Sequence, residues 1–176
     1  ICFPYYPNDA VIALRMDDYY IWDTSLIKVG DHYYMFSSRW PKAMGFSWNW
    51  IFNSEIALFK SDKPEGPYQF VKVVLPRRGK QYFDGMNTHN TNIKYFDGKF
   101  YLYYMGTTYD IEPPKVGEID QIPHEICVDT WNHKRIGLAI SSQIDGDYIR
   151  DDKPLLEPRQ DNWDATAITN PTVAIL

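Results

Sequence analysis

Only two cysteines, Cys2 and Cys127, occur in 176 residues. That is too few for a disulfide framework. One bridge or two free thiols both stay open, so the redox compartment is undetermined. No apolar run approaches the roughly 18 to 20 residues that cross a bilayer. Basic excess is missing too: 18 Lys and Arg stand against 23 Asp and Glu, a net charge of −5. A basic nucleic-acid-binding stripe is therefore not expected, and neither nucleic acid nor membrane is expected as a partner. No usable Asn-x-Ser/Thr acceptor exists, because Asn170-Pro171-Thr172 is disqualified by its proline. The stretch Ile1–Pro7 lacks the basic and apolar regions of a secretory signal. Gly-rich phosphate loops, nucleophile elbows and paired-cysteine motifs are absent. His124, Cys127 and His133 are spaced His-x₂-Cys-x₅-His, but a zinc site normally wants a fourth ligand and a recognisable pair spacing, so no metal is assigned.

What is abundant is aromatic. Tyr, Phe and Trp make up 16% of the chain, with 12 Pro and 10 Gly beside them. With 44% hydrophobic and 23% charged residues, the chain is expected to fold rather than stay disordered. Aromatic-rich, turn-rich sequences lean toward β-structure. Thr24–Val29 and His32–Ser38 are two β-rich runs joined by Gly30-Asp31, which reads as a tight hairpin. The figure returns at Thr91–Phe96 and Lys99–Met105, joined by Asp97-Gly98, a pair suited to a type I′ turn. Glu55–Lys60 and Tyr68–Val74 complete a first set of four strands. Arg135–Ser141 and Asp147–Arg150 complete a second, and a third set opens at Pro171.

These sets form an internal repeat. With a shift of 80, Ile56, Leu58, Gly66, Tyr68, Asp84 and Asn90 fall on Ile136, Leu138, Gly146, Tyr148, Asp164 and Asn170. With a shift of 67, Tyr34 falls on Tyr101 and Asp23 on Asn90. Asp23, Asn90 and Asn170 thus hold one equivalent place, just before the first strand of each unit. Repeated four-stranded antiparallel units predict an all-β fold, a β-propeller built from blades. Blade one covers about residues 22–75, blade two about 90–150, and residues 170–176 begin a third. WD40 is disfavoured, because no Gly-His and Trp-Asp pair recurs.

Antiparallel order places the candidate site. The start of strand one, the end of strand two and the start of strand three share one rim. The two long connections, 39–53 and 107–134, rise on that rim. Long connections in a compact domain are usually functional or disordered, and the first is too aromatic for disorder. Trp22, Trp40, Trp48 and Trp50 suit stacking on sugar faces, or else pack the loop onto the blades. Arg39 could clamp a hydroxyl or carboxylate, or sit in a surface ion pair. Glu55 and Arg135 occupy equivalent starts of strand three, and Glu55 is an alternative acid. His89 and His133 are either proton carriers or structural histidines.

The run Trp22-Asp23-Thr24-Ser25-Leu26-Ile27, with Gly30–Ser38 and the ending Ser61-Asp62…Glu65-Gly66-Pro67-Tyr68, resembles the first blade of the five-bladed propeller glycoside hydrolases. Families 43, 32, 62 and 117 belong to that group, and the resemblance extends from about residue 17 to 176. It implies a glycoside hydrolase acting on a plant or algal oligo- or polysaccharide, with Asp23 as general base or nucleophile. A second acidic position of the group is Asn170 here, which can bind a hydroxyl but carries no charge. Asp164 or Asp84 could supply that charge, or cap turns. The general acid, typically a glutamate, comes from a later blade in the group. His89 is the in-chain candidate for proton transfer, while Asn90 and Asn170 are candidates for sugar contact. No cofactor is implied beyond an optional structural cation in the central channel. Alternatives are a non-catalytic carbohydrate-binding propeller and a glycoside phosphorylase on the same fold. Two and a fraction blades imply a fragment, or a ring closed by further blades or another copy, since closure is what removes sheet edges. Location stays open, with a periplasmic or extracellular setting preferred to a cytoplasmic one.

Overall fold

The computed structural model describes residues 12–175. Expectations touching Cys2 and Ile1–Pro7 lie outside them. Two four-stranded antiparallel sheets follow one another, each a simple meander. The first runs β1 (Tyr19–Val29), β2 (His32–Pro41), β3 (Glu55–Ser61) and β4 (Gln69–Leu75). The second runs β5 (Asn87–Phe96), β6 (Lys99–Thr107), β7 (Arg135–Ser141) and β8 (Ile149–Arg150). The hairpin turns fall where the sequence puts them. Val29 pairs with His32 and Phe96 with Lys99 across two-residue turns. Both Asp97 and Gly98 have positive φ, as a type I′ turn requires. In the first hairpin only Gly30 does, the pattern of a II′ turn.

Both sheets put their side-chain alternation to use. Tyr34, Phe36, Ile56 and Leu58 of the first sheet interlock with Ile93, Leu102, Tyr104 and Ala139 of the second in one buried core. Part of the repeated Tyr-Tyr signal is therefore core. Polar bonds stitch β5 to the first sheet: Ser38 Oγ accepts from Asn90 N–H at 2.8 Å, and Ser25 Oγ from Ile93 N–H at 3.1 Å. A buried ionic knot locks the junction at its outer part. Asp84, fully buried, takes hydrogen bonds from Tyr104 Oη at 2.6 Å and Arg78 Nε at 2.8 Å, with Arg150 at 3.3 Å.

The two long connections carry structure that strand patterning did not reveal. Residues 39–53 hold a short helix, α1 (Asn49–Asn53), and 107–134 hold α2 (His124–Asn132). Ile51 and Phe52 of α1 pack with Tyr109, Ile119 and Cys127 into a second small core above the rim. This is where much of the loop's aromatic surface goes. The expected opening of a third set at Pro171 is not a strand in residues 171–175. A ladder needs a partner, and among the described residues the only backbone tie there is Val173 N–H to Asn92 Oδ1 at 3.3 Å. Among the described residues, no helix is long and apolar enough to cross a membrane. No group of three His, Cys, Asp or Glu residues among them is placed to hold a metal.

Candidate active site

The three repeated polar positions share one backbone state. Asp23, Asn90 and Asn170 have φ of 44°, 46° and 56°, the left-handed region that Asn and Asp tolerate better than other non-glycine residues. Asp23 and Asn90 also interrupt their ladders, at register shifts between Trp22 and Thr24 and between His89 and Thr91. Such a bulge twists the strand and re-aims a side chain. The repeat therefore has a conformational cause: the backbone selects Asn or Asp. Only the first unit takes the charged choice.

The bulges at Asp23 and Asn90 deliver these two side chains to a cleft of about 330 Å³, which Asn170 also lines. Trp22, Trp40 and Trp50 line it together with Asp23, His89, Asn90 and Asn170. Asn90 Nδ2 donates to Asn170 Oδ1, which also accepts from Thr169 Oγ1 at 2.9 Å. Two buried polar atoms on lining residues have no partner among the described residues: the Trp40 indole N–H and Asn90 Oδ1. Removing such groups from water without a partner costs about 1–3 kcal/mol each. One is a donor and the other an acceptor, and both lie just behind the cleft surface.

Asp23 is the only carboxylate lining the cleft among the described residues. Partial burial raises its pKa above the ordinary carboxylate value, and a hydrogen bond with the Trp22 side chain pulls the other way. His89 is 3% exposed. Its Nδ1 is 2.7 Å from Ser54 Oγ, and its ring lies 4.9 Å from Trp50 and 5.7 Å from Trp40. Burial, reinforced by the charge of Lys134, pushes its pKa down to about 3. At neutral pH the ring is uncharged, and Nε2 is the nitrogen left without a protein partner among the described residues.

Four expected site residues are placed elsewhere. Arg39 and Glu55 are directly opposite on β2 and β3 and pair at 2.8 Å. The guanidinium is held between Tyr19 and Phe70, 4.3 Å from each ring centre. Neither residue lines the cleft, so the clamp and the alternative acid give way to a mutual ion pair. Trp48 packs against Trp131 and His124 in the loop core. Asp164 pairs with Arg159 at 2.8 Å, much as its equivalent Asp84 pairs with Arg78, so both aspartates read as repeat-unit latches. Phe46, Trp131, Lys134 and Thr169 line the cleft but were not singled out from sequence. Lys134 stands between His133 and Arg135, where a basic triplet looks like a solvated surface. Its burial depends on α2, which strand patterning does not reveal.

No family model matches this chain, and no curated protein matches it. Solved structures do. A family 117 glycoside hydrolase produced by the marine bacterium Zobellia galactanivorans superposes with a TM-score of 0.61 at 18% identity, over 85% of this chain and 43% of that one. The two sheets are propeller blades. A family 43 β-xylosidase/α-arabinofuranosidase from a compost microbial metagenome, in complex with xylotriose, gives 0.54 at 17% identity, over 82% and 37%. A Bacillus subtilis arabinanase gives 0.52 at 19% identity, over 81% and 40%. The chain spans about two fifths of the length of these structures, and at such identities the likeness establishes the blade fold.

Proposed function

We propose that this chain supplies part of the active site of a glycoside hydrolase, with Asp23 as general base or nucleophile. The observation that carries the reading is a lone carboxylate, aimed by a bulge into a tryptophan-walled cleft. Glycosidic cleavage passes through an oxocarbenium-like transition state. One carboxyl group protonates the leaving oxygen while another activates water or attacks the anomeric carbon. Asp23 takes the second role. Asn90 and Asn170 hold hydroxyls by hydrogen bonding, and Trp22 and Trp50 pack against apolar sugar faces, while Trp40, 1% exposed, backs the wall behind them. His89, uncharged near neutral pH, is no proton donor of the imidazolium kind; its Nε2 contributes a hydrogen bond instead. The leaving-group acid then comes from a blade beyond residues 22–75 and 90–150, in a ring completed by further blades or by another copy.

A second reading has its own support. With no other carboxylate lining the cleft among the described residues and a side-chain bond joining Asn90 to Asn170, the cleft also suits binding without cleavage. One experiment separates the two. The full-length protein is incubated with a panel of aryl glycosides and neutral oligosaccharides, and cleavage and binding are followed in parallel. Cleavage supports the hydrolase, binding alone supports the carbohydrate-binding module, and neither result removes both.

A further inference from the structure

Lys134 is 1% exposed, yet it lines the cleft. Its ammonium lies 3.1 Å from the centre of the Trp131 ring and 5.7 Å from that of Trp50. Among the described residues no oxygen accepts a hydrogen bond from Nζ, and no carboxylate pairs with it. Asp23, the one acid of the cleft, forms no ion pair with it, and burial lowers the Lys134 pKa to about 8. Buried lysines are ordinarily paired. Aromatic faces attract a cation but offer no lone pairs to its three N–H donors. His89 close by is uncharged and keeps Nε2 free, so it adds a neutral donor or acceptor beside the ammonium without repelling an anion.

We infer that the cleft is specific for a ligand bearing an oxyanion, held by Lys134 between the Trp50 and Trp131 rings. The inference rests on the reading of this cleft as a substrate site and names the substrate's chemistry: an acidic sugar, with a carboxylate or sulfate-type group. A free phosphate could occupy the same place, as a phosphate-dependent reaction would require.

The test uses the full-length protein and three probes: xylotriose, xylotriose carrying a glucuronosyl branch, and inorganic phosphate. Binding is read by tryptophan fluorescence, since Trp50 and Trp131 flank the ammonium. A charge-assisted contact of this kind predicts that the acidic oligosaccharide binds about 10- to 100-fold more tightly than the neutral one. Lys134→Met should erase that preference, so that the acidic and neutral sugars bind alike. Tight phosphate binding that Lys134→Met abolishes, without preference between the two sugars, would assign the oxyanion to free phosphate. Should the variant fold poorly, the wild-type ammonium is followed by NMR, and the acidic probe must raise its pKa. Equal affinity for neutral and acidic sugars, with no phosphate binding and an unmoved lysine, would overturn the inference and leave the carbohydrate reading standing. Phosphate binding through Lys134 with no sugar bound would instead contradict the carbohydrate reading.

Discussion

Acidification should destabilise this protein through one histidine. The unfolded His89 titrates near 6.5, whereas the folded ring titrates near 3 because it is buried beside Lys134. Between those values the unfolded chain binds a proton that the native state refuses. Stability contributed by the neutral ring is complete above pH 6.5 and falls as pH drops toward 3. Integrating the difference in bound protons from pH 7 to pH 5 gives a loss of about 2 kcal/mol. For a domain of this size that corresponds to a Tm lowered by about 4–8 °C. The assay is urea denaturation at half-unit pH steps for the wild type and His89→Gln. His32, His124 and His133 are common to both proteins, so the difference between the two stability curves isolates His89. The expected difference is a slope of about 1.4 kcal/mol per pH unit below pH 6, present in the wild type and missing in the variant. Parallel curves, or an imidazole NMR signal for His89 that titrates near 6.5 in the folded protein, would refute the reasoning.

Further expectations concern the frame around the cleft. Asp84→Ala leaves Arg78 and Arg150 without their shared carboxylate and Tyr104 without its acceptor, so unfolding free energy should fall by about 3–5 kcal/mol in a urea titration. Gly137→Ala would bring a methyl group within 2.7 Å of Tyr104 Oη and 2.8 Å of Phe83 Cζ; overpacking of this kind should cost about 1–3 kcal/mol. Trp22→Ala removes the half-exposed aromatic wall of the cleft; oligosaccharide affinity measured by calorimetry should weaken by about tenfold, the loss of about 1.5 kcal/mol of apolar contact.

How far the sequence reaches depends on the range of the interaction. Blade repeats are local patterns, so the two hairpins and the equivalence of Asp23, Asn90 and Asn170 could be read from spacing alone. The reason for that equivalence, a shared left-handed backbone state with a bulge at Asp23 and Asn90, becomes visible only with φ and ladder register. Arg39 and Glu55 looked like rim residues because both lie at strand ends; their direct opposition appears once β2 and β3 are paired. Asp164 looked like a spare acid until the matching bond of Asp84 to Arg78 gave the position a structural meaning. Lys134 is not legible in the sequence because its burial against Trp131 of α2 and the distant Trp50 is a tertiary fact. The nine-residue α2 itself lies in a stretch with no strand alternation and only a modest apolar stripe, which left it reading as loop.

The central claim is that Asp23 carries the chemistry and not merely the turn. Asn90 and Asn170 adopt the same positive φ, so Asp23→Asn should keep the backbone and leave Tm unchanged. The decisive measurement is the hydrolysis rate of Asp23→Asn in the full-length protein, on whichever oligosaccharide the wild type cleaves, beside its thermal unfolding. The account predicts a loss of at least about 10²–10⁴-fold in rate with an intact fold. A variant that still cleaves at the wild-type rate would contradict it.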